Sequence, residues 1–252
     1  MFKVRSRWNH ENSIEVEWNL GKRCNYDCSY CPKEIHDNFS PHTDIELLKR
    51  AIDKLCSIGK PIRLSFTGGE PTVHPKFDEL LMYANYQDNV SFISVTTNGT
   101  RTEEWYRRLL VDQLVISLHF EYDTTPILDK IYKLTVGESS HYISKNVIVQ
   151  VMAHQNKMQE VRNAVQMLQF FEIPYNVRRV RWTEGDHDVF DDNKYSKEDL
   201  EWVLSKDAQV KPNTFLHYKD STEMKIMHSN DVIKLNLLLI RLAISKLKKS
   251  GI

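Results

Sequence analysis

The sequence predicts an α/β protein, a partial (β/α)6 barrel of parallel strands with outer helices, continued by a C-terminal helical extension. Three observations carry that prediction. Between residues 14 and 182, short segments rich in Val, Ile and aromatic residues recur at intervals, as strands do. Each pair is separated by enough chain for a helical crossover, which parallel neighbours require. From Thr183 onward the rhythm stops in the polar, acidic stretch TEGDHDVFDDNKYSKEDL. Six such units fall short of the eight that close a full barrel. The chain therefore divides into a core, residues 1–182, and an extension, residues 183–252.

The elements follow in order. IEVEWNL (14–20) alternates as a half-buried strand does and runs directly into RCNYDCSYCPKEIH. Thr43 to Glu46 forms a capping box ahead of the helix IELLKRAIDKLCSIG, which Gly59 and Pro61 stop. Cys56 shares the apolar side of that helix with Leu48, Ile52 and Leu55, the place of a small packed residue rather than a ligand. IRLSFTGGEP (62–71) is a strand ending in glycines, KFDELLMYANYQ (76–87) a helix and VSFISVTTNG (90–99) a strand. TEEWYRRLL is a helix opened by Thr102, and QLVISLHFE (113–121) is the fourth strand. Helices near 125–135 and 157–171 flank the strand NVIVQVMAH (146–154), and YNVRRVRW (175–182) is the sixth. In the extension, YSKEDLEWVLSK is a short helix capped by Ser196. The tail SNDVIKLNLLLIRLAISKLKKS has the spacing of an amphipathic helix docked on the domain, an interfacial membrane helix being the sharper alternative.

Composition narrows the function. Lys plus Arg total 34 and Asp plus Glu total 34, so formal net charge is zero, unlike a dedicated nucleic-acid binder. No run of 18 apolar residues exists to span a bilayer, and residues 1–20 mix charges without the apolar stretch of a signal peptide. Four cysteines in such a chain point to a reducing, cytoplasmic setting and to ligand or catalytic use rather than disulfides.

Parallel α/β architectures gather their functional groups at the C-terminal ends of the strands. There this chain places Cys24, Cys28 and Cys31, then Thr67-Gly68-Gly69-Glu70-Pro71, then Thr96-Thr97-Asn98-Gly99. Ser117, His119 and Glu121 share one face of the fourth strand by its period of two. The C-x3-C-x2-C spacing admits two metal centres. Zinc would take His36 as its fourth ligand, whereas an iron–sulfur cluster of four irons would keep one iron open to an exogenous ligand. The bland roles are packing for Tyr30, a turn for Thr96, Thr97 and Asn98, and a satisfied core histidine for His119. Gln150, Met152 and His154 share a face of the fifth strand that can line a cavity. Arg178, Arg179 and Arg181 either bind an anion or pair with the acidic stretch that follows.

The cysteine loop after a first strand, with Tyr30 before the last cysteine, resembles that of the radical S-adenosylmethionine enzymes. Gly68-Gly69-Glu70-Pro71 at the end of the second strand looks like that family's glycine-rich motif. The resemblance covers roughly residues 14 to 182 and implies a [4Fe–4S] cluster on Cys24, Cys28 and Cys31, with S-adenosyl-L-methionine chelating the fourth iron. One electron from the reduced cluster then cleaves the cofactor to methionine and a 5′-deoxyadenosyl radical, which abstracts a hydrogen atom from a substrate. The resemblance implies cofactor contacts at Tyr30, Gly68, Gly69, Glu70, Pro71, Thr96, Asn98, Ser117 and His119, with Glu70 as acceptor near the ammonium. It implies an external flavodoxin- or ferredoxin-like electron donor and a peptide or small-molecule substrate, and assigns no catalytic side chain. Many relatives continue into a C-terminal domain with auxiliary clusters, yet no cysteine follows Cys56. The extension is therefore expected to be a truncated or degraded form of that domain. The competing expectation is an inactive cluster- or zinc-binding remnant acting as an interaction protein.

Overall fold

A computed structural model describes residues 13–33, 36–137, 146–180, 182–184, 187–189, 194–207 and 232–236. Its centre is a parallel sheet in which β1 (Ile14–Asn19), β2 (Ile62–Thr67), β3 (Val90–Thr97), β4 (Gln113–His119), β5 (Asn146–Ala153) and β6 (Tyr175–Arg179) lie side by side in chain order. Between them run α1 (Ile45–Cys56), α2 (Phe77–Tyr86), α3 (Glu103–Arg108), α4 (Thr125–Thr135) and α5 (Met158–Phe170). The six strands form a half-barrel with helices outside, as the six repeated units predict.

The strands are amphipathic, and each face has its own task. On the outer face Val16, Trp18, Leu64, Phe66, Ile93, Val95, Leu114, Ile116, Val149 and Val151 are buried in one continuous core with the helices. The inner face alternates with it and is polar. Ser94 Oγ donates to Ser65 Oγ at 2.9 Å, Glu15 pairs with Arg63 at 3.4 Å, and the Arg63 guanidinium lies 3.9 Å over the Phe92 ring. A closed eight-stranded barrel fills that space with branched apolar side chains. Here the polar concave face stays available for a ligand.

Register puts the two motif loops side by side. β1 pairs with β2 from Ile14↔Ile62 to Asn19↔Thr67, so both strands end level and release the cysteine loop and the glycine loop together. Three local expectations need correction. The cap of α1 is Asp44 rather than Thr43, its carboxylate accepting from the Glu46 and Leu47 amides at 3.0 and 3.3 Å and placing a negative charge at the helix N-terminus. β6 stops at Arg179, because the Val180 amide turns to donate to the Tyr195 hydroxyl at 3.1 Å. A small antiparallel pair follows, β7 (Trp182–Glu184) with β8 (His187–Val189), and then α6 (Lys197–Asp207), whose Asp199 amide donates to Ser196 Oγ at 3.1 Å.

The largest correction lies in the tail. Val232–Asn236, expected to begin an amphipathic helix, is a strand, β9, paired parallel to β1 from Glu15↔Val232 to Asn19↔Asn236. The reason is the edge of β1, whose outward row of N–H and C=O groups is a template for any extended segment. The rest of the tail and Arg181 lie outside the described residues. No helix among the described residues is long and apolar enough to cross a membrane.

Candidate functional site

The glycine loop is shaped by contact with the cysteine loop. Gly69 N–H donates to the Gly21 carbonyl and Glu70 N–H to the Arg23 carbonyl, both at 2.9 Å. A Cβ on Gly69 would collide with the Lys22 and Arg23 carbonyls. A Cβ on Gly68 would lie 2.6 Å from Asn19 Oδ1, and its φ of +135° is one that other residues rarely adopt. The absent side chains thus let two backbone segments meet. Glu70 fixes the same junction from within. One carboxylate oxygen accepts from the Thr72 amide, Thr72 Oγ1 and Thr97 Oγ1 at 3.0, 2.6 and 2.8 Å, and the other accepts from the Asn98 amide at 2.6 Å. Burial pushes its carboxyl pKa up while these donors pull against that shift. With both oxygens engaged by protein donors, Glu70 joins the ends of β2 and β3.

The cysteine loop is held chiefly by the end of β4 and the residues just after it. The Tyr30 hydroxyl lies 2.6 Å from His119 Nδ1, and the two rings stack at 6.1 Å and 11°. Burial depresses the His119 pKa to about 4, so the ring is a neutral partner, with Cys28 Sγ 3.6 Å from the same nitrogen. The Asp27 amide donates to the Tyr122 hydroxyl at 2.5 Å, and Tyr26 stacks on Tyr122 at 3.8 Å. The Ser29 amide donates to Glu121 at 2.7 Å. On the other flank Asn98 Nδ2 donates to Asn25 Oδ1 at 2.8 Å.

These loops enclose a cavity of about 180 Å³ at the C-terminal end of the half-barrel. Cys24, Cys28 and Cys31 line it together with Tyr30, Gly68, Gly69, Glu70, Thr96, Asn98, Ser117 and His119. Gln150 and Met152 complete the wall from β5, Gln150 Nε2 lying 3.4 Å from the Met152 sulfur. Pro71 stands apart, buried at the start of a 3-10 turn behind Glu70. His154 turns to Glu121 at 3.1 Å instead of into the cavity. Arg178 pairs in register with Met152, which puts it on the inner face of β6, and Arg179 follows it on the opposite face.

The donor set separates the two metal centres. Burial raises the thiol pKa of Cys24 and pushes that of Cys28 up to about 12, so a metal must displace protons to bind. Among the described residues no three Cys, His, Asp or Glu side chains converge as ligands of one ion. His36 meets acceptors at both ring nitrogens, the Pro32 carbonyl at 3.2 Å and Asp27 at 3.0 Å, and is held within its own loop. His36 lines the same cavity as the three cysteines but would have to give up these contacts to serve as the fourth ligand of a zinc ion. Three thiols spread around one cavity suit a larger polynuclear cluster, with the rest of the cavity left for a ligand on it.

Sequence reasoning missed Glu121, Tyr122 and Tyr26 as loop-holding residues. The only sequence signal was Glu121 falling two residues after His119 on the same strand face, because its partner Ser29 lies 92 positions away.

The model of the Radical SAM superfamily matches residues 18–139. The Fe-coproporphyrin III synthase of Methanosarcina barkeri is 41% identical over 86 residues, 34% of this chain and 21% of that protein. A GTP 3′,8-cyclase of Staphylococcus aureus is 25% identical over 225 residues, 79% of this chain and 63% of that enzyme. The matches thus span less than two thirds of either relative's length. Among solved structures, anSMEcpe with bound AdoMet and the Kp18Cys peptide superposes with a TM-score of 0.57 at 17% identity, over 78% of this chain and 59% of that one. Streptococcus suis SuiB bound to precursor peptide SuiA gives 0.56 at 15%, over 78% and 46%. At such identities these two likenesses speak for the fold.

Proposed function

We propose that the chain is an enzyme of the radical SAM superfamily, whose model matches residues 18–139, and that it abstracts a hydrogen atom from a peptide side chain or small molecule after reductive cleavage of S-adenosylmethionine at a [4Fe–4S] cluster. One observation carries this reading: three cysteine thiols and the Gly68–Glu70 loop face one cavity at the C-terminal end of a half-barrel. A cluster held there would supply the electron for reductive cleavage of S-adenosylmethionine.

The chain's own residues do the remaining work. Cys24, Cys28 and Cys31 would hold the cluster. Gly68 and Gly69 bring backbone groups to the cavity wall, where they would meet the amino group of the cofactor's methionine, while Glu70 keeps that wall rigid. Ser117 offers a hydroxyl, and Thr96 and Asn98 close the β3 side. His119, neutral and hydrogen-bonded to Tyr30, supports the loop without adding a charge. Tyr30 and Met152 give the cavity apolar surface that excludes water, as a reactive radical requires. Pro71 acts behind Glu70 by setting the turn. The reaction core is residues 1–182, with 183–252 as an extension that stands where relatives carry auxiliary clusters. The electron comes from a flavodoxin- or ferredoxin-like carrier, and the setting is cytoplasmic, with no nucleic acid as partner.

The test is anaerobic reconstitution with iron and sulfide, followed by dithionite and S-adenosylmethionine. Formation of 5′-deoxyadenosine is expected. Colourless protein with stoichiometric zinc, or a cluster that never cleaves the cofactor, would overturn the proposal.

A further inference from the structure

The stretch between Cys28 and Cys31 has an anchor that the cavity does not require. Ser29 is exposed, yet its amide donates to Glu121 Oε2 at 2.7 Å and its hydroxyl to Glu121 Oε1. Glu121 lies just beyond the end of β4, its side chain 22% exposed, and is itself held. His154 Nδ1 accepts from the Asn156 amide at 3.3 Å, which leaves the ring proton on Nε2 to donate to Glu121 Oε1 at 3.1 Å. Hydrogen bonds to a carboxylate are roughly twice as strong as neutral ones, and this one grips a backbone amide rather than a flexible side chain. The Cys31 amide closes a turn on the Cys28 carbonyl at 3.0 Å, so the segment between the two cysteines is fixed at both levels.

We infer that Glu121, backed by His154, is a positioning residue for the cysteine loop. It fixes the Cys28–Cys31 turn before any metal arrives and turns the Ser29 amide away from the thiols. Hydrogen bonds to the sulfurs are one of the levers that set the reduction potential of an iron–sulfur cluster. An amide released from Glu121 is free to swing toward them. The inference depends on the proposed function only for the identity of what the loop holds.

The experiment uses the full chain with Glu121→Ala, Glu121→Gln and Ser29→Ala. In metal-free protein, alkylation of Cys28 by iodoacetamide is followed by peptide mass spectrometry, with Cys56 as internal reference. Loss of a hydrogen bond to a charged group predicts alkylation about tenfold faster at Cys28 in Glu121→Ala and no change at Cys56. Glu121→Gln, which keeps an acceptor, lies nearer wild type. Ser29→Ala retains the amide bond and shows the smallest effect. In reconstituted protein, iron passes to a chelator faster in Glu121→Ala, and the reduced cluster has a shifted midpoint potential. Unchanged Cys28 alkylation overturns the inference. So does acceleration at Cys28 and Cys56 alike with a lowered unfolding midpoint, the mark of global loosening. If wild type takes up no iron while Glu121→Ala still speeds Cys28 alkylation, the positioning role stands and the cluster reading falls.

Discussion

The two faces of the parallel sheet are built from alternate residues of the same strands, yet they obey different rules. Outward, Phe66 packs against Trp18 and Phe77 at 5.6 and 5.8 Å between ring centroids, and Ile116 is fully buried. Inward, one residue along, Thr67 and Ser117 face the cavity. A change outside costs packing, whereas a change inside costs an interaction with something the protein binds. A strand's period of two thus lets stability and chemistry be altered almost separately, until the strand ends, where the loops must serve both.

That separation can be broken or sharpened by substitution. The largest effect is expected from Cys28→Ala, which should abolish iron uptake in reconstitution while moving unfolding stability by about 1 kcal/mol or less, measured by iron assay and denaturant titration. Phe66→Ala should do the reverse. Removing a fully buried ring costs roughly 3–5 kcal/mol, yet the folded fraction should keep the wild-type affinity for S-adenosylmethionine. Ser117→Ala is the smallest and most diagnostic. It should weaken S-adenosylmethionine binding by about five- to tenfold, the worth of one hydrogen bond, and leave the denaturation midpoint in place. A stability loss in Ser117→Ala as large as in Phe66→Ala would dissolve the distinction between the faces.

Much of this was legible in the chain. Alternation in IEVEWNL and IRLSFT announces both the strands and their buried faces, because burial on one side of a pleat must repeat every second residue. The cysteines and glycines were legible because their chemistry is local: three thiols in one loop, two residues without a Cβ at a strand end. What resisted is what depends on partners distant in sequence. The carboxylate of Glu70 lines the cavity and also accepts from Thr72, Thr97 and Asn98, a bracing role that the motif alone does not display. Glu121 gains its meaning only when folding brings Ser29 to it. The segment VIKLN carries apolar residues that suit a helix or a strand at so short a length. The vacant edge of β1 decides between them, and no local propensity encodes that edge.

The pairing of β9 with β1 also has a consequence in time. β1 launches the cysteine loop, and its outer edge is completed by residues that leave the ribosome 217 positions after their partners. Until they arrive, the strand beneath the cysteines has a bare flank able to recruit an extended segment from another chain. Pairing ends so far apart in sequence is slow, since a long loop must close before its hydrogen bonds repay the entropy. A chain that stops before Val232 should therefore aggregate more readily on refolding than the full chain, as read by light scattering.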